Sequence, residues 1–249
     1  MPNIAIVGAT GAVGQEFLRI LEERKFPVDR LQLLASQRSK GTIISWQGRE
    51  IEVQETTHDS FQGIDIALFA GGSASTEFAP SAVESGAVVI DNSSFFRLNP
   101  SVPLVVPEVN PEDIKWHKGI IANPNCSTIL MVVVLKPIED VTRIKRVVVS
   151  TYQAVSGAGK EGIAELEAQL RSWYNEKEIC GMETFPYQIA FNLIPRIDTF
   201  AENDYTKEEW KMVKETQKIL NRTDIGITAT CVRVPVLRSH CESINIETE

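Results

Sequence analysis

Apolar residues follow two different rhythms along this chain. In the first half they gather in short continuous runs: Asn3-Ile4-Ala5-Ile6-Val7, Leu31-Gln32-Leu33-Leu34-Ala35, Ile64-Asp65-Ile66-Ala67-Leu68-Phe69-Ala70 and Ala87-Val88-Val89-Ile90. Runs of this length, closed by glycine or small polar residues, predict strands buried on both faces, as a parallel sheet requires. Leu104-Val105-Val106-Pro107-Glu108-Val109-Asn110 and Gly119-Ile120-Ile121-Ala122 read as the last strands of that sheet. Between the runs, Phe17, Leu18, Ile20 and Leu21, and later Phe78, Ala79, Ala82 and Val83, recur at helical spacing. Strand alternating with helix over residues 1–125 predicts a Rossmann-type domain.

The second half keeps a different order. Ile129-Leu130-Met131-Val132-Val133-Val134-Leu135 is apolar all round and predicts a buried helix. A long β-type run, Arg146 to Val155, precedes helical patterns around Ile163–Leu170 and Glu208–Leu220, and an alternating strand covers Gly226–Val236. Strands and helices no longer alternate evenly. Residues 126–249 therefore read as an α+β domain with an open mixed, mostly antiparallel sheet, and the whole chain as α/β.

Composition narrows the partners. The net charge of −8, with no basic run to offset it, argues against nucleic acid and anionic membranes. The four cysteines, Cys126, Cys180, Cys231 and Cys241, show no metal-type pair spacing, so neither a metal site nor a disulfide framework is expected. No leader precedes the first strand, and the longest apolar run is too short for a bilayer, so a soluble cytoplasmic protein is expected.

Candidate chemistry starts at Gly8-Ala9-Thr10-Gly11-Ala12-Val13-Gly14, which joins a strand to a helix. Here Gly8 makes the turn, Gly11 lets the backbone approach a pyrophosphate, and Gly14 lets helix pack closely on strand. The alternative is a glycine-rich turn that binds nothing. About twenty residues later, where a carboxylate would hold ribose hydroxyls, the chain reads Ser36-Gln37-Arg38-Ser39-Lys40-Gly41. Hydroxyls and a guanidinium suit a 2′-phosphate and favour NADP over NAD, against the plainer reading of a solvated basic turn. A second loop, Gly71-Gly72-Ser73-Ala74-Ser75, falls on the same carboxyl edge of the sheet.

The sharpest signal is Asn123-Pro124-Asn125-Cys126-Ser127-Thr128, set directly before the apolar helix. Pro124 holds Asn123 extended, Asn125 suits an N-cap, and Cys126 falls in the first turn. A thiol there meets unsatisfied N–H groups and the positive end of the helix dipole, which favours the thiolate. A buried structural cysteine is the bland alternative. Arg97, after a polar loop and two aromatics, suits an anion clamp and equally a surface arginine. His240 follows a strand, where histidine is more often structural, but a thiol nucleophile needs such a partner. Glu208 and Lys211, three apart on one helix face, read first as a surface ion pair.

Together these segments resemble the aspartate-β-semialdehyde dehydrogenase family. GATGAVG (8–14), SQRSKG (36–41), NPNCST (123–128), STYQAVSGAG (150–159) and CVRVPVLRSH (231–240) occur in family order. The resemblance implies NADPH-dependent reduction of L-aspartyl-4-phosphate to L-aspartate-4-semialdehyde with release of inorganic phosphate, on the route to lysine, methionine and threonine. It implies a homodimer or homotetramer. Cys126 would form a thioester, His240 would handle the proton on the thiol or hemithioacetal oxygen, and Gln153 would position the substrate. Asn125 and the Cys126 N–H would serve the tetrahedral oxygen. Arg233 would hold the α-carboxylate, Glu208 the amine, and Arg97 and Lys211 the phosphate. NADP would be held by Gly8, Thr10, Gly11, Ala12, Val13, Ser36, Arg38, Ser39, Ser73, Ser156 and Gly157. Residues 1–125 would be the NADP-binding domain, and 126–249 the catalytic and dimerisation domain. The family chain runs on past the point of Glu249, so that second domain would be incomplete. N-acetyl-γ-glutamyl-phosphate reductase is the nearest rival within enzymes, and glyceraldehyde-phosphate-type dehydrogenases are disfavoured by the missing ribose carboxylate. A non-catalytic NADP-binding relative is the reading from another class.

Overall fold

The structure, a computed structural model, describes residues 1–179 and 181–249; Cys180 lies outside the described residues. The chain forms two compact units, Met1–Pro124 and Asn125–Glu249.

In the first unit, β1 (Ile4–Val7), β2 (Leu31–Ala35), β5 (Gln54–Glu55), β6 (Ile66–Phe69), β7 (Val88–Asp91) and β8 (Ile120–Ala122) form one sheet in the order β5-β2-β1-β6-β7-β8. Every pairing in it is parallel. Helix α1 (Ala12–Glu23) links β1 to β2, and α2 (Ser73–Glu84) links β6 to β7. Ile4, Ile6, Leu33 and Leu18 pack as one core, consistent with strands whose apolar runs show no alternation. Strand order reverses between β1 and β6, so the Gly8 loop and the Gly71-Gly72 loop flank the switch point where open α/β sheets bind ligands.

Two features of this unit depart from expectation. No strand forms over 104–110; only Leu104 bridges to Ala122. The side chain of Asn110 accepts from Val106 N–H at 2.9 Å and donates to Leu104 O at 2.9 Å, taking groups a ladder would use. Pro103 and Pro107 supply no N–H at all. Conversely, an antiparallel hairpin of β3 (Ile43–Trp46) and β4 (Arg49–Glu52) was not legible beforehand. It turns through Gln47 and Gly48, both at positive φ.

The second unit contains α3 (Cys126–Glu139), β9 (Ile144–Gln153), α4 (Gly159–Tyr174), α5 (Lys207–Ile219), β10 (Gly226–Arg233) and β11 (Cys241–Thr248). Its sheet runs β10-β9-β11 and is mixed: β9 pairs parallel with β10 and antiparallel with β11. The mostly antiparallel expectation therefore gives way to an even split. The long excursion through α4 and α5 supplies the crossover a parallel pair needs. Met131 and Leu135 of α3 and Met212 of α5 share a core with Val147, Val149 and Cys231 of the sheet. The expected strand over 226–236 stops at Arg233, two residues before Pro235, which has no N–H to give. Arg233 pairs with Gln153, and Cys241 with Tyr152, so three segments meet at one end of the sheet.

Candidate active site

The site of the second unit begins at the start of α3. Asn125 is extended (φ −58°, ψ 144°), and its Oδ1 accepts from Ser127 N–H at 3.0 Å and Thr128 N–H at 3.2 Å. The cap leaves Cys126 exposed as the first helical residue, while Ser127 and Thr128 are buried. Asn125 is fixed on two further sides. Its backbone N–H donates to Glu215 Oε2 at 2.7 Å, and its Nδ2 donates to Glu208 Oε1 at 2.8 Å.

Glu208 is the hub, with only 5% of its surface exposed. Oε1 also accepts from Gln153 Nε2 at 3.0 Å, and Oε2 accepts from Lys211 Nζ at 3.0 Å. Burial alone would raise its pKa, but the charge of Lys211 and the donors from Gln153 and Asn125 outweigh it and hold the carboxyl below its ordinary range. Burial likewise works against the ammonium of Lys211, yet Glu208 and Asp198, the latter at 3.1 Å, keep it raised. The ion pair read from spacing is thus real, but it is built into the site instead of lying on a solvated face. Gln153 is oriented in turn by the Thr151 hydroxyl, which donates to its Oε1 at 2.9 Å.

Ala154 holds the other two groups by its backbone. Its carbonyl accepts from Arg233 Nη1 at 2.6 Å, and its N–H donates to His240 Nδ1 at 3.0 Å. Arg233 is 6% exposed and sits 5.9 Å over the Phe185 ring. Burial lowers its pKa, with Glu208 and then Cys126 opposing. Burial, and next the positive charge of Arg233, also depress His240, with Glu208 opposing. Gly157 makes room for both: a Cβ there would stand 2.8 Å from Arg233 Nη1 and 3.4 Å from His240 Nε2. Ser156 is tied to the segment before His240, its N–H donating to Leu237 O at 3.2 Å.

Three groups escaped sequence reasoning. Glu215 lies seven residues after Glu208 on one helix face, a spacing that was available to find it. The two backbone bonds of Ala154 and the stacking of Phe185 left no sequence signal.

The first unit carries the remaining expected residues. Gly8 sits at φ 84°, and a Cβ on Gly14 would fall 2.3 Å from Gly8 O. Helix α1 starts at Gly11 and α2 at Gly72; neither has a side-chain cap or an acidic residue in its first turn. Uncapped N–H groups at such starts fit the pyrophosphate of a dinucleotide. Thr10 Oγ1 donates to Ser39 Oγ at 3.3 Å, linking the glycine loop to the 36–40 turn. Ala12 and Val13 form the first turn of α1, and Ser36, Arg38 and Ser73 are exposed. Arg97 is no surface arginine: at 8% exposure, its guanidinium donates to Asn123 O at 2.9 Å and Asn92 O at 2.8 Å. Among the described residues, no helix is long and apolar enough to cross a membrane.

A Rossmann-type unit followed by a unit that presents a helix-capped cysteine to buried ionic partners defines a two-domain dehydrogenase. Residues 3–117 match the model of the semialdehyde dehydrogenase NAD binding domain, and residues 135–249 match that of the semialdehyde dehydrogenase dimerisation domain. The aspartate-semialdehyde dehydrogenase of Aquifex aeolicus is 60% identical over 251 residues, covering 99% of this chain and 74% of the relative. The crystal structure of aspartate semialdehyde dehydrogenase II from Vibrio cholerae complexed with ASA superposes with a TM-score of 0.96 at 53% identity, over 100% of this chain and 74% of that one. Aspartate semialdehyde dehydrogenase with NADP from Candida albicans gives a TM-score of 0.75 at 28% identity, over 99% of this chain and 71% of that one. The chain belongs to the aspartate-semialdehyde dehydrogenase family.

Proposed function

We propose that the chain catalyses NADPH-dependent reductive dephosphorylation of L-aspartyl-4-phosphate to L-aspartate-4-semialdehyde, working in the cytoplasm as a homodimer or homotetramer. The observation that carries this reading is the exposed Cys126 at the capped start of α3, whose capping residue Asn125 is bonded to the buried Glu208 that also holds Gln153 and Lys211. On this reading residues 1–125 hold NADP and residues 126–249 perform the acyl chemistry.

Cys126 attacks the acyl carbon, the C–O bond to phosphate breaks, and phosphate leaves with the electron pair, so a thioester remains on sulfur. The helix-start N–H of Cys126, with Asn125 beside it, serves the oxyanion. Arg233 pairs with the α-carboxylate, whose planar geometry matches its fork. Glu208 takes the α-ammonium on its remaining lone pairs, and Gln153 orients the acyl group. By resemblance Arg97 and Lys211 hold the phosphate. His240 is the ring that meets the reacting sulfur and oxygen. NADP fits the glycine loop (Gly8, Thr10, Gly11, Ala12, Val13), the turn bearing Ser36, Arg38 and Ser39, and Ser73, with Ser156 and Gly157 added by resemblance. When bound, its reduced nicotinamide supplies the hydride.

The test is phosphate- and NADP-dependent oxidation of aspartate semialdehyde, with N-acetylglutamate semialdehyde as the competing substrate. Cys126→Ser should lose at least ~10⁴-fold in kcat. Turnover of the serine variant at the parent rate would remove the thioester route.

A further inference from the structure

We infer that Glu215 of α5 is a positioning residue for the nucleophile: through the main-chain N–H of Asn125 it fixes where Cys126 stands at the start of α3. This role rests on the thioester reading, which makes the sulfur the atom to be aimed. Glu215 is 1% exposed, and its Oε2 accepts from Asn125 N–H at 2.7 Å across 90 residues of chain.

Asn125 has four hydrogen-bonding groups, and each is engaged. Its Oδ1 caps α3 at Ser127 and Thr128, and its carbonyl accepts from Ile129 N–H at 2.9 Å. Those two tie Asn125 to α3 itself and would survive if the helix start swung as a whole. Its Nδ2 donates to Glu208 and its N–H to Glu215, and these two tie it to α5. The carboxylates stand seven residues apart on one face of α5 and so grip Asn125 at two points. The bond to Glu208 ends on a side chain, which can turn about its own torsions. The bond to Glu215 ends on the main chain, one residue before Cys126. It is the contact with α5 that sets the course of the backbone into the nucleophile.

The preceding residue sharpens this. Pro124 has no N–H, so the amide of Asn125 is the last main-chain donor before α3 opens. Asn125 is 7% exposed, and without Glu215 that amide would be a buried donor lacking an acceptor. Relief requires the Pro124–Asn125 peptide to turn, and Cys126 turns with it. A misplacement of about 1 Å at a reacting atom is enough to cost about 10²-fold in rate.

Three variants separate reach from charge. Glu215→Ala removes the acceptor. Glu215→Gln keeps an acceptor oxygen at the same reach without a titratable group. Glu215→Asp keeps the carboxyl but withdraws it by one carbon–carbon bond, about 1.5 Å. In aspartate semialdehyde oxidation the alanine and aspartate variants should each lose about 10²-fold in kcat, with KM within about threefold of the parent. The glutamine variant should stay within about fivefold of the parent kcat. Alkylation of Cys126 by iodoacetamide, followed on its own peptide by mass spectrometry, should stay within about threefold in all three, because a small diffusing reagent does not need the sulfur aimed. Met212→Ala is the control for lost packing. Met212 lies in the core shared by α3, α5 and the sheet, so a cavity there lowers stability in urea without taking a bond from Asn125. Its kcat should hold within about threefold of the parent. Four results would each overturn the inference: a parent-like kcat in Glu215→Ala, an aspartate variant as active as the glutamine variant, alkylation that falls in step with kcat, or an equal loss of kcat in Met212→Ala. Alkylation and unfolding are read without turnover, so failure of the enzyme reading shows separately, as absence of aspartate semialdehyde oxidation in the parent protein.

Discussion

Helix starts are used in opposite ways in the two units. In the first, α1 and α2 begin at glycines with no side-chain cap and no first-turn acid, so their N–H groups stay available to a ligand. In the second, α3 is capped by Asn125 and α5 by Thr206 in a capping box with Glu209, so the N–H groups of Ser127, Thr128 and Glu209 are consumed within the protein. A mobile anionic ligand is met by backbone left open. A nucleophile that must stay in one place is met by a helix whose first turn is tied down. The same division appears among buried polar groups. The second unit buries Glu165, Glu208, Glu209 and Glu215, each with donors, whereas the first unit buries few charges.

The largest effect should come from filling the first unit's backbone cradle. Gly14→Ala would set a methyl 2.3 Å from Gly8 O and 2.7 Å from Ala9 Cα, both backbone atoms that cannot swing aside. A forced shift of that kind costs about 1–3 kcal/mol. It should also weaken NADP binding about 100-fold or more while leaving iodoacetamide labelling of Cys126 intact. Gly11→Ala, whose Cβ would stand 3.3 Å from Gly8 O, should be milder. Equal tolerance of both in calorimetric NADP titrations would break the claim that this loop works by close backbone approach.

Asn125→Ala strikes the second unit. It removes the cap from α3 and one donor from Glu208, about 1 kcal/mol for each loss. Stability in urea should fall by ~2 kcal/mol and Cys126 labelling should slow, with NADP affinity unchanged. Asn125→Asp keeps the cap but faces Glu208 with a like charge, so it should restore less than a cap alone predicts. If it restores everything, the link to Glu208 carries no weight.

How much of this was legible in the sequence follows the range of the interactions. The cap of Asn125 acts over two and three residues, so the string Asn125-Cys126-Ser127-Thr128 announced it. The glycine turn was legible for the same reason. Pairing of β9 with β10 spans some eighty residues and leaves no local trace; only the intervening helices hint that it is parallel. Strand β11 was overlooked although Ser243-Ile244-Asn245-Ile246 alternates apolar and polar positions, the mark of a half-buried strand. The run at 104–110 looked like a strand because its apolar content is right, but Asn110 satisfies the backbone locally. In the site, residue types were readable and partners were not. Nothing in the string says that Ala154 orients His240 and Arg233 through its main chain.

A smaller effect separates cofactors. Arg38 is exposed on the turn that Thr10 and Ser39 join to the glycine loop, with no acid where a ribose carboxylate would stand. Arg38→Ala should cut the preference for NADP over NAD by about 10-fold, the worth of a partly screened charge-assisted contact. Thermal stability should not move. An unaltered NADP-to-NAD ratio of kcat/KM would leave the turn as a solvated basic loop.

The smallest effect tests the one acid of the second unit that breaks its pattern. Both carboxyl oxygens of Glu242 are buried without a hydrogen-bond partner among the described residues, and burial raises its pKa to about 7. In the unfolded chain the same group ionises near an ordinary carboxylate value. The folded state therefore binds an extra proton in between. Its contribution is whole below about pH 4.5 and is lost as pH rises through about 7. Because the residue is only partly buried, screening holds the swing to ~1 kcal/mol. Glu242→Gln keeps the shape and removes the titration. It should match the parent in urea at pH 5 and exceed it by that amount at pH 8. An equal difference at both pH values would mean that Glu242 is partnered in solution, and that every buried acid of this unit is satisfied after all.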